Sequence, residues 1–355
     1  MRIVVVGASG NVGTSLVRLL LNDEQVTEVV GVARRESPSQ HPKLSWEQAD
    51  IVDAPLEPLF AGADAVVHLA WLIQPSRDQS VLHAVNVDGS RRVFEAAAAA
   101  GVGTLVYASS IGSYSPGPKD RGVDESWPTG GIESSFYSRH KVASERLLDR
   151  VEAEHPEMRV VRLRPGLIFK GEAGTEIRRY FAGPFLPSPL VRPQFLRVIP
   201  RLPRLVFQAV HTEDVAEAYR LAVLDTRARG AYNVAADPVL DPDVLAREFG
   251  AIKVPLPVGA VRRFTDLSWK LRLQPTPPGW LDMALAVPVM ATDRIRDELG
   301  WTPRHTSLSA LRELLEGIGK GRTGPTPPLG GGGGGVGTGS RAQEVAHGVG
   351  ARNPG

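Results

Sequence analysis

Three glycines, spaced Gly7-x-x-Gly10-x-x-Gly13, join a short β-branched run from Arg2 to Val6 to a stretch, Asn11 to Leu21, that reads as a helix. The run suits a strand buried on both faces, and Val12, Leu16, Leu19 and Leu20 recur at helical spacing. A glycine turn between a first strand and a first helix is where a dinucleotide pyrophosphate docks. The helix N-terminus offers unpaired N–H groups and a partial positive charge, and glycines let the backbone approach phosphate oxygens closely.

Strand-like and helix-like segments then alternate. Val29 to Ala33, Leu44 to Trp46 and Ala65 to Leu69 read as strands, followed by a helical stretch from about Gln79 to Ala100. Leu105 to Ala108 is a fifth strand, Phe136 to Glu154 a helix and Val160 to Leu163 a sixth strand. Glu213 to Leu224 is a helix, Ala231 to Val234 a further strand, and Thr292 to Ile318 a closing helical cap. Such alternation predicts an α/β fold, a doubly wound parallel sheet of Rossmann type with ligands at the carboxyl ends of its strands. The expected organisation is a dinucleotide-binding core over 1–170, then a smaller C-terminal substrate lobe over 171–318 with segments returning to the core. In the lobe, Pro184, Pro187, Pro189, Pro193, Pro200 and Pro203 alternate with Phe185, Leu186, Phe195 and Leu196, which predicts neither a regular strand nor a long helix there. The tail over 319–355 contains the run Gly330 to Gly335 and few large apolar residues, so a disordered Gly-rich tail is expected.

Composition excludes several classes. Lys and Arg number 41 against 39 for Asp and Glu, which gives no case for nucleic acid as a partner. The absence of cysteine removes any disulfide framework, thiolate metal site or thiol nucleophile. No apolar run approaches the roughly 18 residues of a membrane span, and the glycine-interrupted start lacks a cleavable leader pattern. A cytoplasmic protein with no membrane partner is expected. The histidines lack the spacing of a zinc site, so no metal is expected.

Tyr137-Ser-Arg-His-Lys141 places a phenol and an ammonium one helical turn apart. A free phenol, with a pKa near ~10, is a poor base at neutral pH; a neighbouring cation lowers that value. Ser109 and Ser110 follow the fifth strand directly, where a hydroxyl can hold a substrate oxygen while Tyr137 moves the proton. At the end of the second strand, Arg34 and Arg35 precede Glu36. Paired guanidinium groups suit the 2′-phosphate of NADP, whereas an acidic residue would grip the ribose of NAD. The preference expected is therefore NADP over NAD, with solvated surface arginines as the alternative.

Together these motifs resemble the extended short-chain dehydrogenases/reductases, the broad group that includes nucleotide-sugar epimerases and dehydratases. The resemblance runs from Arg2 to about Ile318. It is carried by Gly7-Ala-Ser9-Gly10-Asn11-Val12-Gly13, Asp50-Ile51, His68-Leu69-Ala70, Asn86-Val-Asp-Gly89 and Ser109-Ser110-Ile-Gly-Ser-Tyr114. Glu125 and Pro128 ahead of Tyr137-x-x-x-Lys141, Arg164-Pro165-Gly166, His211-Thr-Glu-Asp214 and Leu299-Gly-Trp-Thr-Pro303 follow in order. The resemblance implies that Tyr137 is the general acid/base, that Lys141 binds the nicotinamide ribose and tunes Tyr137, and that Ser110 positions the substrate oxygen. It implies cofactor contacts from Gly7, Ser9, Gly10, Asn11, Val12, Gly13, Arg34, Arg35, Asp50, Ile51, Leu69, Ala70, Asn86, Lys141 and Pro165. His68 reads as a packing residue, and His211 with Asp214 as a structural motif of the group.

Three functions remain open on sequence. The first is a reductase or dehydrogenase of a small, partly apolar carbonyl or alcohol. The second is a nucleotide-sugar epimerase or dehydratase, and the third an NADP-sensing protein without turnover. Arg164-Pro165-Gly166 looks more like the reductase-type members, and Trp71, Leu72 and Ile73 suggest an apolar pocket. Arg178, Arg179, Tyr180 and Phe181 either line that pocket or face a short lobe helix. The partner expected is a small-molecule substrate, with a homodimer through the tyrosine-bearing helix left open by the resemblance.

Overall fold

Along the first strand, Ile3 and Val5 join one apolar core and Val4 and Val6 another, so the strand is buried on both faces. That alternation fixes it at the centre of a parallel sheet. The computed structural model describes residues 1–35, 37, 39–73, 76–174, 177, 193–326 and 329. Seven strands form the main sheet: β1 (Arg2–Val6), β2 (Glu28–Ala33), β3 (Leu44–Gln48), β4 (Ala65–His68), β5 (Thr104–Ala108), β6 (Arg159–Pro165) and β7 (Gly230–Val234). All pairings are parallel, and the order is β7-β6-β5-β4-β1-β2-β3. The chain winds outward from β1 to β3 and then returns to the other side at β4. This switch opens a crevice between the carboxyl ends of β1 and β4, where Val6 lies beside both Val32 and His68.

Helices cover both faces. Asn11–Leu21 and Thr212–Leu224 share the core of one face through Leu16, Leu20, Val215 and Tyr219. Ser90–Ala99 and Phe136–Glu154 cover the other through Phe94, Phe136 and Leu148. The doubly wound Rossmann arrangement expected from the sequence is the one observed.

Beyond residue 170 the chain departs from expectation in two places. Val198–Arg201 forms a short parallel strand with Ile252–Pro255 despite Pro200. That pair is a two-stranded sheet, and a residue without an N–H is tolerated at such an edge. Residues 178–192, which hold Arg178, Arg179, Tyr180, Phe181, Phe185 and Leu186, lie outside the described residues. The second departure concerns the tail. The closing cap divides into Asp293–Leu299 and Ser307–Lys320, so the last helix runs past the expected boundary at Gly319. Beyond it, Thr326 is buried and its hydroxyl donates to the Ser9 carbonyl at 2.7 Å, which places this part of the tail on the glycine turn. Residues 330–355 lie outside the described residues.

Candidate active site

The glycine turn closes because two of its residues lack a side chain. Gly7 has φ +89°, and a Cβ there would lie 2.7 Å from the Ala70 nitrogen; at Gly13 it would lie 2.3 Å from the Gly7 carbonyl oxygen. Gly10 is the N-cap of helix Asn11–Leu21 with no capping side chain, and the first turn holds no acidic residue. The helix N–H groups therefore face the turn unpaired by side chains, an arrangement that fits a pyrophosphate. Gly13→Ala is expected to weaken dinucleotide binding about tenfold or more, because the backbone of helix and turn must separate. Fluorescence titration with NADPH and NADH measures it.

The other residues named from the sequence lie on the helix, the strand ends and the loops that follow them. The Leu69 N–H donates to Val6 at 2.8 Å, tying β4 to β1 where Ala70 meets Gly7. The Asn11 side chain accepts from the Thr212 hydroxyl at 3.2 Å, and Val12 packs on the core. Asp50 accepts from the Val52 N–H at 3.1 Å, and Ile51 fills the space above Gly89. Arg34 and Arg35 lie exposed beyond the end of β2. Pro165 ends β6, and Gly166 follows because a Cβ would come within 2.6 Å of the Gln208 carbonyl.

Helix Phe136–Glu154 begins at Ser135, whose hydroxyl caps the Ser138 N–H, and carries Tyr137 and Lys141 one turn apart. Ser110 caps the short turn Ile111–Ser113 by accepting from the Gly112 N–H at 3.0 Å. Gly112 admits the phenol: a Cβ there would sit 3.0 Å from Tyr137 Cε1. The Tyr137 ring lies 5.0 Å from Trp280 and edge-on to Trp71 at 5.9 Å. Lys141 Nζ donates to the Ala108 carbonyl at 2.6 Å and sits 3.4 Å from the Trp71 ring centre. The structure thus brings Ser110, Tyr137 and Lys141 together under two indoles.

The electrostatics differ from the sequence expectation. Burial pushes the Tyr137 phenol up to about 12, and hydrogen bonding with Ser110 offsets this only in part. Burial also holds the Lys141 ammonium well below its usual value, with Glu145 opposing the shift. A cation was expected to lower the phenol, but Nζ is turned to Ala108 and lies 5.8 Å from the Tyr137 ring centre. Desolvation therefore dominates.

Asn86 takes a supporting position. It lies in a π-turn, Ala84–Gly89, inside the helical stretch that was expected to be regular. Its amide accepts from the Leu72 N–H at 2.8 Å and donates to the Leu72 carbonyl at 2.9 Å, which fixes the loop bearing Trp71. His68 is wholly buried, hydrogen-bonded to Ser90 at 2.9 Å and pushed down to about 3 by burial, as a packing residue would be.

Sequence reasoning missed a polar network beneath the site. Glu145, one turn beyond Lys141, receives Arg164 at two oxygens, at 2.9 and 2.7 Å, and also the Ser109 hydroxyl. Arg164 reaches the Tyr114 hydroxyl at 3.1 Å, which donates to Asn233 on β7 at 2.6 Å. The periodicity Tyr137, Lys141, Glu145 was the available signal: a carboxylate on the buried stripe of that helix demands a cation.

His211, Glu213 and His305 offer three donors close enough for a cation, lining a cavity of about 390 Å³. Both ring nitrogens of His211 are engaged, Nδ1 accepting from the Glu213 N–H and Nε2 meeting Glu313 at 3.1 Å. Arg18 and Lys170 line the same cavity. These cations, and a His211 with no spare lone pair, favour a hydrogen-bonded cluster over a metal site.

Residues 3–176 match the model of the NAD dependent epimerase/dehydratase family. The chain belongs to this family. An uncharacterized protein of Mycobacterium tuberculosis is 28% identical over 326 residues, covering 91% of this chain and 31% of the relative. The chain thus spans about a third of that relative's length. A 3 beta-hydroxysteroid dehydrogenase/Delta 5→4-isomerase of the same species is 32% identical over 155 residues, 41% of this chain and 42% of the relative. Among solved structures, a short-chain dehydrogenase/reductase superfamily protein from Agrobacterium tumefaciens with bound NAD is 25% identical. It has a TM-score of 0.66 over 90% of this chain and 96% of its own. In this epimerase/dehydratase-family chain, the matched segment contains the glycine turn, Ser110, Tyr137, Lys141 and Arg164.

Proposed function

We propose that the protein is a nicotinamide-dependent reductase or dehydrogenase acting on a carbonyl or alcohol of a partly apolar small molecule. The observation that carries this reading is the enclosure of Tyr137. Trp71, Trp280 and Gly112 pack against the phenol, and among the described residues Ser110 hydrogen-bonds it while Lys141 lies 5.8 Å from its ring centre. Such walls accept an apolar skeleton and leave one place for a reacting oxygen.

The nicotinamide cofactor supplies or takes up a hydride when bound. The glycine turn and the uncapped helix N-terminus hold its pyrophosphate, and Arg34 and Arg35 stand beyond β2 where a 2′-phosphate would lie. Tyr137 delivers the proton to the carbonyl oxygen in reduction and removes it in oxidation, while the Ser110 hydroxyl holds that oxygen in place. Lys141, whose ammonium donates to the Ala108 carbonyl beside the phenol, would orient the ribose.

NADPH consumption against a panel of ketones, aldehydes and sugar nucleotides, with Tyr137→Phe alongside, tests the reading. Tyrosine-dependent consumption on an apolar carbonyl supports it. Conversion of a sugar nucleotide without net consumption replaces it with an epimerase or dehydratase.

The preferred cofactor we propose is NADP(H). Arg34→Ala with Arg35→Ala is expected to weaken NADPH about tenfold or more, through loss of charge-assisted bonds to phosphate, while NADH is little changed. Equal affinity of the unaltered protein for NADH and NADPH overturns the preference.

A further inference from the structure

Helix Val258–Lys270 turns its large apolar side chains outward. Phe264 is 72% exposed, Leu267 57% and Leu271 59%, and Leu273 follows at 67%. Spacings of three and four residues put the first three on one stripe. Single exposed apolar residues are ordinary on a protein surface, whereas a contiguous stripe marks an interaction face. Basic residues border it. At 100° per residue, Arg263 and Lys270 lie along one flank of the stripe, and Arg272 stands exposed in the turn just past the helix end. Arg263 and Arg272 pair with no carboxylate among the described residues, and the helix's Asp266 sits away from the stripe, bonded to Lys270.

The opposite side of this helix is fastened above the chemistry. Arg262 makes two bonds to Asp282, at 2.8 and 3.0 Å, on helix Gly279–Ala286, which carries Trp280 over Tyr137. Arg77 donates to the Trp269 carbonyl and stacks on its ring at 4.6 Å, joining the same helix to the loop that bears Trp71. The helix is the outer layer of the cover whose inner layer encloses the phenol.

We propose that this face docks on an anionic lipid surface, with the helix lying in the headgroup plane. An apolar stripe bordered by basic side chains along one flank and at its end is a pattern that inserts shallowly and pairs with lipid phosphates. A second copy of the chain fits less well, since a self-complementary contact brings these basic side chains against their own kind. Among the described residues no helix is long and apolar enough to cross a membrane, so the attachment is parallel to the surface. The docking surface stands independently of which reaction the site performs.

Flotation of the full chain with vesicles tests it, comparing phosphatidylcholine alone with phosphatidylcholine plus phosphatidylglycerol. The protein is expected to float with the anionic vesicles and to be released by added salt. Phe264→Asp with Leu267→Asp and Leu271→Asp is expected to lower the bound fraction about tenfold or more. The milder pair Arg263→Gln and Arg272→Gln is expected to do the same, and an unchanged melting curve separates lost docking from lost folding. No flotation of the unaltered protein with anionic vesicles overturns the proposal, as does undiminished flotation of either folded variant. Conversion of a dimer to a monomer by these substitutions, read by sedimentation velocity, assigns the face to a second copy and also overturns it.

Discussion

Tyr137→Phe is expected to lower turnover by roughly 10²–10⁴-fold, the usual contribution of a positioned proton donor, with dinucleotide affinity unchanged. The substitution removes one oxygen from a ring held by Trp71, Trp280 and Gly112, so the packing that shapes the pocket survives. The glycine turn that would hold the cofactor belongs to a different element of the crevice. Loss of turnover together with intact binding therefore isolates the phenol's chemistry. With its pKa raised to about 12 by burial, Tyr137 is protonated across the physiological range. Reduction, which uses the phenol as an acid, is expected to hold its rate to well above neutral pH. Oxidation, which needs the phenolate, is expected to rise with pH over the same interval. Stopped-flow rates in both directions, for the parent and Tyr137→Phe, check the slopes. Wild-type turnover in the variant would remove Tyr137 from the mechanism.

Glu145→Ala is expected to cost about 3–5 kcal/mol of stability, the range found when one member of a buried ion pair is deleted. Arg164 would remain 5% exposed, facing a gap in place of two carboxylate oxygens. For a chain of this size that amounts to a fall of roughly 4–7 °C in melting temperature. Burial pushes the Glu145 carboxyl up, but the Arg164 guanidinium outweighs it, helped by Ser109 and Arg162, and the net shift is downward. A carboxyl lowered in the folded state adds stability above its unfolded value of about 4.3 and loses it as pH falls through the folded value. The gap in stability between parent and Glu145→Gln is thus expected to be largest near neutrality and to narrow in acid. Denaturant titrations at several pH values measure this. A pH-independent gap would mean that the carboxylate's charge contributes nothing.

The parts of this molecule that are legible in the sequence are those governed by local pattern. β1 and the helix after it follow from four consecutive apolar residues, three glycines and a 3.6-residue period, and the tyrosine helix follows from its own period. Ser110, Tyr137 and Lys141 are legible because a helical turn and a strand end bring them together with little help from distant chain. What the sequence conceals depends on contacts between remote segments. The pairing of Glu145 with Arg164 spans 19 positions, and that of Tyr114 with Asn233 spans 119. The upward shift of Tyr137 arises from enclosure by Trp280, which lies far along the chain. The helix Val258–Lys270 goes unread in the sequence, and its outward stripe emerges only when burial shows which face is left exposed. The strand at Val198–Arg201 exists only because Ile252–Pro255 lies beside it.

The bond from Thr326 to the Ser9 carbonyl spans 317 positions. During synthesis the glycine turn emerges 317 positions ahead of Thr326, and β1, β2 and β3 can pair soon after it. The residue that fastens Ser9 does not yet exist at that stage. The turn therefore lacks this restraint until the residues of the sheet have been made. Protein fragments ending before Thr326 would carry every glycine of the turn and still hold it differently. The earlier-made turn thus takes one of its hydrogen bonds from a much later-made segment.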